Sequence, residues 1–375
     1  MSQYRIAIIG GGPGGLTLAR LLHLGGLTVS VFERDTHADD RPQGGTLDLH
    51  ADTGQRALRL AGLERQFLAA ARYDDQGIRL YDSSGTLLFG DDESDGDRPE
   101  VDRTALRHML IESLPAGMIR WGTRVDRIEP GNDGRHDVIA GGVRESFDLV
   151  VGADGAWSKV RALLSDAKPV YEGVTMVELG FDDVDRRHPA VAALTGRGKM
   201  FALGDNRGLI LQRNGHAHIR GYFALRTEQP WAPALEDATP DAIRHRILEY
   251  LTGWGDALTN AVWSADTVIG VRPLYALPVG HRWAHRPGMT LIGDAAHLMS
   301  PFGGEGVNLA MTDAADLAAA LIQGDDAAVE RFEEAMAARA APAADGAAQG
   351  LRHSISPTGP AAALAHFREV MVAAA

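Results

Sequence analysis

The chain has 375 residues, 45% hydrophobic and 23% charged, which is ordinary globular composition with enough length for two lobes. Its 37 Lys and Arg against 50 Asp and Glu give a formal charge of −13, a poor match for nucleic acid or an anionic membrane. With no cysteine, the chain has no disulfides, thiolate catalysis, iron–sulfur clusters or cysteine zinc sites.

The N-terminus, MSQYRIAIIGGG, enters a strand almost at once and has no basic leader or cleavage site. No apolar run approaches the ~20 residues of a spanning helix. The expectation is an unprocessed cytoplasmic monomer. Residues 4–9 are an apolar, β-branched run ending at glycine, 14–25 read as a helix, and 28–33 as a second strand. This is a β-α-β unit whose first strand has the pattern of a buried parallel strand. Residues 51–62 read as a helix closed by Gly62, 77–89 as a hairpin around DSSG, and 102–114 as a helix ended by Pro115. Residues 147–153 form another buried strand.

From about 170 to 285 the pattern alternates and carries Asn-Gly turn signals, which predicts an antiparallel sheet. Within it, TPDAIRHRILEYLTGW starts a helix at a Thr cap followed by Pro. Residues 289–293 return to parallel-strand character, and 306–322 and 326–340 read as helices. Pro342 and Pro357 are expected to break the Ala-rich tail before a last helix near 359–373. The predicted domains are 1–168 with 286–340, 169–285 inserted between them, and a terminal segment 341–375.

Gly10, Gly12 and Gly15 form G-x-G-x-x-G between a strand and a helix. Gly10 permits the tight turn, Gly12 the approach of a pyrophosphate, and Gly15 close helix–strand packing. The helix N-terminus offers N–H groups and positive dipole to phosphates. Glu33, 18 residues after Gly15, suits the hydroxyls of an adenosine ribose and would repel a 2′-phosphate.

A second cluster, LIGDAAHLMSPFGGEGVNLAM, covers Leu291–Met311. Asp294 ends a strand, where it can hydrogen-bond a polyol chain. SPFGGEGVN then leads into a helix whose N-terminal amides would face whatever lies beyond the polyol. A dinucleotide with its adenosine at Gly10–Glu33 and its ribityl chain on Asp294 is FAD. Reduced flavin is negatively charged at the end facing that helix, which stabilises it.

These motifs resemble those of the FAD-dependent monooxygenases of the para-hydroxybenzoate hydroxylase type. The matches are GGGPGG with Glu33, VVGADGAWSKVR (Asp154, Gly155, Ser158, Arg161) and GDAAHLMSPFGGEGVN (Gly293, Asp294, Pro301, Gly304, Gly306, Asn308). GGTLDLH at 44–50, EVDRTALRHML at 100–110 and GVRPLYALP at 270–278 look like the tetracycline-inactivating hydroxylases. The resemblance spans essentially the whole chain. It implies an α/β fold: a Rossmann-like FAD-binding domain, an inserted antiparallel β-sheet substrate domain and a C-terminal bridging helix. It also assigns residues. Glu33 and Arg34 resemble adenosine-ribose and phosphate-side contacts, Asp48 and Arg103 flavin-nucleotide contacts, and Asp294 the pyrophosphate and ribityl contact. Arg41 resembles a residue assigned to NADPH, and Asp154-Gly155 an element tied to both FAD and NAD(P)H.

The implied reaction uses NADPH or NADH and O2 to hydroxylate a polycyclic enol or phenol through a flavin C4a-hydroperoxide. The substrate is a tetracycline or, alternatively, an aromatic compound of polyketide or secondary metabolism. Where tetracycline-contacting Gln and Arg are expected, this chain has Glu178 and Lys199, and His218 corresponds loosely to a histidine contact. Gln to Glu introduces an anion, and Arg to Lys loses bidentate geometry. No catalytic side chain is assigned, because oxygen transfer needs no acid–base residue. No metal site is expected.

Other readings are weaker. A halogenase would carry Trp-x-Trp-x-Ile-Pro, which AVWSADTVIG does not match. Intact flavin signatures argue against a non-catalytic binder. DDESDGDRPEVD at 91–102 partly fits a calcium loop (Asp91, Glu93, Asp95, Gly96, Asp102), but Pro99 breaks it, and a solvated acidic loop is expected. His297 is expected to be structural, and Glu305 to point to solvent.

Overall fold

The computed structural model describes residues 4–41, 43–92, 96–235, 238–324 and 326–374. The chain divides into two units, each made of segments distant in sequence. The first comprises Met1–Ala71, Arg103–Val170 and Tyr275–Ala347, and the second Arg72–Asp102, Tyr171–Leu274 and Ala348–Ala375. The fold is mixed α/β, as expected, with one parallel and one mainly antiparallel main sheet. No helix of the described residues is long and apolar enough to cross a membrane.

The first unit is built on a five-stranded parallel sheet in the order Met289–Leu291, Leu149–Gly152, Arg5–Ile9, Thr28–Phe32, Ile119–Arg120. Ile6, Ala7, Ile8, Val31, Val150, Val151 and Leu291 are wholly buried. This is why these strands read as unbroken apolar runs: parallel strands are covered on both faces. Each such Ile, Val or Leu contributes roughly 1.5–3 kcal/mol by burial. A separate antiparallel meander, Val125–Pro130, His136–Ala140 and Val143–Phe147, belongs to the same unit.

The second unit holds a seven-stranded sheet in the order Thr267–Ala276, Val170–Phe181, His218–Arg226, Arg207–Asn214, Gly198–Gly204, Gly77–Tyr81, Leu87–Asp91. Gly198–Gly204 runs parallel to Gly77–Tyr81, while the pairings from Val170–Phe181 to Gly198–Gly204 are antiparallel. One face carries Val177, Leu179, Phe181, Met200, Leu209, Leu211 and Phe223 into a core shared with the helices Pro240–Tyr250 and Asp256–Ser264. Thr239 caps the first of these as predicted, accepting the Ala242 N–H at 3.3 Å.

Two expectations are corrected. The hairpin region 72–102 falls in the second unit, not the first, because Gly77–Tyr81 pairs with Gly198–Gly204. Pro342 does not end its helix, which runs Asp326–Ser354. Ala-rich flanks have high helix propensity, and burial of Met336, Ala340, Ala347 and Leu351 offsets the ~3 kcal/mol cost of an interior proline. The stretch 51–62 is helical as expected, a π-helical turn Ala51–Gln55 running into the α-helix Arg56–Leu60, with Gly62 at φ +70° after it. The C-terminal helix Gly359–Ala374 is grouped with the second unit, where Phe367 packs near Phe89 and Phe201. In the acidic stretch 91–102, Glu93 and Asp95 lie outside the described residues. Among those described, no group of three or more metal-binding side chains is present.

Candidate functional site

The first glycine cluster has the tight turn expected at Gly10 and the close helix–strand packing expected at Gly15. Gly10 has φ +111°, and a Cβ there would lie 2.3 Å from the Ala153 carbonyl oxygen. A Cβ on Gly15 would lie 2.2 Å from the Gly10 carbonyl oxygen, so only glycine lets the helix Pro13–Leu24 seat against the strand. At Gly12 a Cβ would meet nothing within 4 Å, so the loop is open there to an incoming group. No side-chain hydrogen bond caps the start of this helix.

Glu33 is buried and accepts two backbone N–H groups, Gly11 at 2.7 Å and Asp35 at 2.9 Å. These bonds fix its carboxylate beside the glycine loop, and its remaining lone pairs suit ribose hydroxyls. Behind it lies a pair that sequence reasoning missed. Asp35 is buried and accepts Arg107 at 2.9 Å and Arg41 at 3.0 Å. Arg107 also donates to the carbonyls of Ala38 at 2.6 Å and Gly11 at 3.4 Å, tying the glycine loop to the helix Arg103–Glu112. Arg41, assigned to NADPH by resemblance, is paired with Asp35 just after Glu33, and the Arg34 side chain is exposed. Arg107 sits four residues after Arg103, a helical spacing that carried the only sequence hint of its position.

The second cluster folds onto the first. The helix Gly306–Gln323 packs on Pro13–Leu24, and a Cβ on Gly14 would lie 3.0 Å from the Ala310 carbonyl oxygen. Asp294 opens the one-turn helix Asp294–His297 at the end of the strand Met289–Leu291. It is surrounded by protein mass yet open to solvent, as a residue on the floor of a cleft is. Burial raises its pKa, against the opposing charges of His297, Arg103 and Arg161. A Cβ on Gly306 would come within 4.0 Å of the Asp294 carboxylate, and one on Gly304 within 3.7 Å of Asp48. Pro301 begins a short turn capped by Ser300, whose hydroxyl accepts the Phe302 N–H at 3.2 Å. Arg103 is exposed at the same side, and its N–H donates to the Gly45 carbonyl at 3.2 Å.

Asn308 departs from its expected role. It is fully buried, and its carbonyl accepts the His50 N–H at 3.0 Å, the Thr53 hydroxyl at 3.1 Å and the Gly54 N–H at 3.3 Å. Its amide donates to the Asp48 carbonyl at 2.9 Å. Asn308 therefore staples the segment 48–54 to the helix and produces the π turn, while its side chain is spent on protein partners. Glu305 also differs from expectation: it is half-buried, with Oε2 3.7 Å from His50 Nδ1.

In the Asp154-Gly155 motif, Asp154 accepts the Lys159 N–H at 2.7 Å, and burial raises its pKa. Arg161 is buried and donates to the carbonyls of Ala295 at 3.1 Å and Ala156 at 2.6 Å. The motif thus braces the Asp294 turn from behind.

In the second unit, Glu178, Lys199 and His218 share the sheet face opposite the core, by the register Glu178↔Tyr222, Ile210↔Tyr222, Phe201↔Ile210 and Asn214↔His218. Each is ion-paired. Glu178 is buried between Arg220 at 3.0 Å and Arg272 at 3.3 Å. Lys199 meets Glu100 at 2.7 Å, and His218 meets Asp182 at 2.8 Å. The two arginines on Glu178 were not foreseen, because strand pairing and not sequence spacing brings them together.

The parallel sheet, the open glycine loop, the fixed Glu33 and the Asp294 turn together define a dinucleotide-binding oxidoreductase. The chain belongs to the FAD binding domain family, whose profile matches residues 3–349, and is an FAD-dependent oxidoreductase of the flavin monooxygenase type. It is 34% identical over 370 residues to the monooxygenase asqM of Emericella nidulans, covering 84% of this chain and 83% of that protein. It is 30% identical over 358 residues to 6-methylpretetramide 4-monooxygenase of Streptomyces rimosus, covering 90% and 80%. Its fold matches the tetracycline destructase Tet(55) with a TM-score of 0.76 at 18% identity, covering 99% and 95%. At that identity the likeness is of fold alone. The expected special closeness to tetracycline-inactivating hydroxylases is therefore unconfirmed.

Proposed function

We propose that the chain is an NAD(P)H- and O2-dependent monooxygenase that hydroxylates an electron-rich polycyclic enol or phenol. The carrying observation is that the two glycine clusters meet in one unit: a Cβ on Gly14 would lie 3.0 Å from the Ala310 carbonyl oxygen, one on Gly11 2.8 Å from the Glu33 carboxylate, and one on Gly306 4.0 Å from Asp294. This donor set fits FAD. The carboxylate of Glu33 takes the ribose, the open N–H groups at Gly12 take the pyrophosphate, and Asp294 takes the ribityl hydroxyls. The helix start at Gly306 takes the anionic end of the ring. When bound, the flavin supplies the hydride acceptance and oxygen activation. The protein's part is to hold it, to place the substrate and to keep water out.

Substrate is read onto the sheet face that bears Glu178, Lys199 and His218. Arg220 and Arg272 around the single carboxylate of Glu178 favour an enolate or phenolate there. One relative supports a substrate of this kind, since its name gives 6-methylpretetramide as what it oxygenates. Tetracycline remains within this class.

The test uses purified protein with FAD, NADPH or NADH, air and a panel of polycyclic phenols that includes a tetracycline. A product heavier by one oxygen is expected for at least one compound. Nicotinamide oxidation to peroxide with every compound would reject this substrate class. Failure to take up FAD would reject the cradle.

A further inference from the structure

Asp313 is completely buried on the helix Gly306–Gln323 and makes three charged or polar contacts. It accepts the Gly293 N–H at 3.0 Å and His297 Nε2 at 2.6 Å on one oxygen, and Arg339 at 2.9 Å on the other. Gly293 and His297 flank the single helical turn that begins with Asp294. One buried carboxylate therefore grips both ends of the turn that presents Asp294.

We propose that Asp313, His297 and Arg339 form a clamp that positions Asp294 for the flavin dinucleotide, and that the clamp requires the charge on His297 as well as its hydrogen bond. This rests on the FAD reading of Asp294. Reaching a buried carboxylate with a merely structural histidine would need only a neutral N–H. Here the surroundings demand more. His297 closes the turn that Asp294 opens, and besides its bond to Asp313 its ring acts, with Arg103 and Arg161, to favour the charged form of Asp294. The groups facing it are Asp313 and Arg339 from two helices, Asp294 on its own turn, and Arg161 and His281 from the adjoining segments. Burial opposes the charge on His297, but Asp313 more than offsets it, and the ring's pKa is raised. Asp313 would be pushed up by burial, but His297 and the Gly293 N–H hold it down. A cavity of about 10 Å³, room for about one water, borders His297 and His281.

The test is FAD binding to apo-protein, read by flavin fluorescence across pH, for wild type, Asp294→Asn, His297→Gln and Arg339→Gln. Glutamine keeps a donor near the Nε2 position and removes the charge. Asp294→Asn and His297→Gln are each expected to weaken binding about ten- to hundredfold, the loss of a charged hydrogen bond. Wild-type affinity should fall as pH rises through the raised His297 value, and His297→Gln should lack that fall. If His297→Gln does not fold, Arg339→Gln carries the test. Removing a cation beside the ring should move the wild-type midpoint to higher pH. Weak binding by Asp294→Asn, with His297→Gln within twofold of wild type or the Arg339→Gln midpoint unmoved, would overturn the clamp and leave the cradle standing. Unchanged binding by Asp294→Asn would overturn the FAD reading of that residue and the clamp with it.

Discussion

Gly14 packs directly against Ala310: a Cβ on Gly14 would sit 3.0 Å from the Ala310 carbonyl oxygen and 3.3 Å from its methyl. This is where the two ends of the cradle are joined. Backbone oxygen cannot swing aside as a side-chain tip can. Gly14→Val is therefore expected to push the two helices apart, lowering stability by about 1–3 kcal/mol. Urea unfolding of apo-protein measures this, and FAD affinity should fall in parallel.

Gly12 gives the opposite pattern. Its φ of −82° suits alanine, and nothing lies within 4 Å of the added methyl. Gly12→Ala should leave the apo-protein as stable as wild type or about 0.4–1 kcal/mol more stable. FAD affinity should nevertheless drop at least about tenfold, because the methyl takes space that the pyrophosphate needs. A melting curve and a flavin titration on the same sample check both halves. Equal affinity in the two proteins would remove the phosphate from this loop.

Glu178 and Arg272 should differ sharply despite sharing one ion pair. Glu178 is 4% exposed and Arg272 60% exposed at the side chain. Glu178→Ala takes the paired carboxylate from the mostly buried Arg220 and is expected to cost about 3–5 kcal/mol. Arg272→Ala removes an exposed partner, at about 0–1 kcal/mol. Chemical denaturation of both variants gives the comparison, and similar costs would contradict the burial pattern.

The glycine loop, its strand and helix, and Glu33 were legible in sequence because each role is local: a turn, a cap, a period. Asp294 and the helix after Gly306 were legible for the same reason. Asp35 with Arg107, and Asp313 with Arg339, were not, because a buried ion pair has no periodic signature and is assembled by packing. Asn308 shows the limit from the other side. Its place beside the cradle was foreseen, but sequence cannot reveal that His50, Thr53 and Gly54 consume its side chain. The assignment of 72–102 failed because a parallel pairing, Gly77–Tyr81 with Gly198–Gly204, leaves no turn to read.

His136 sets an acid limit on stability. It is buried, and desolvation lowers its pKa below the ordinary 6.5. As pH falls through 6.5 the unfolded chain takes up this proton first, so stability is full above that value and declines below it. His136→Gln should lose less stability than wild type between pH 7 and about pH 5. Unfolding free energies at a series of pH values test the slope. His297 acts in the reverse sense, since its raised value gives stability below 6.5 that is lost on the alkaline side.

The strand Leu149–Gly152 is buried throughout and is flanked by Arg5–Ile9 on one side and Met289–Leu291 on the other. During synthesis the second neighbour emerges long after the first. Until then this apolar strand is an unpaired edge, the feature that invites association with other chains. The intervening sheet has all but its terminal segment in hand well before residue 289, so it can condense while the parallel sheet waits. The cofactor cradle is thus the late product of a nascent chain, and crowding at the ribosome or a shortage of chaperone should cost flavin loading before it costs the inserted sheet.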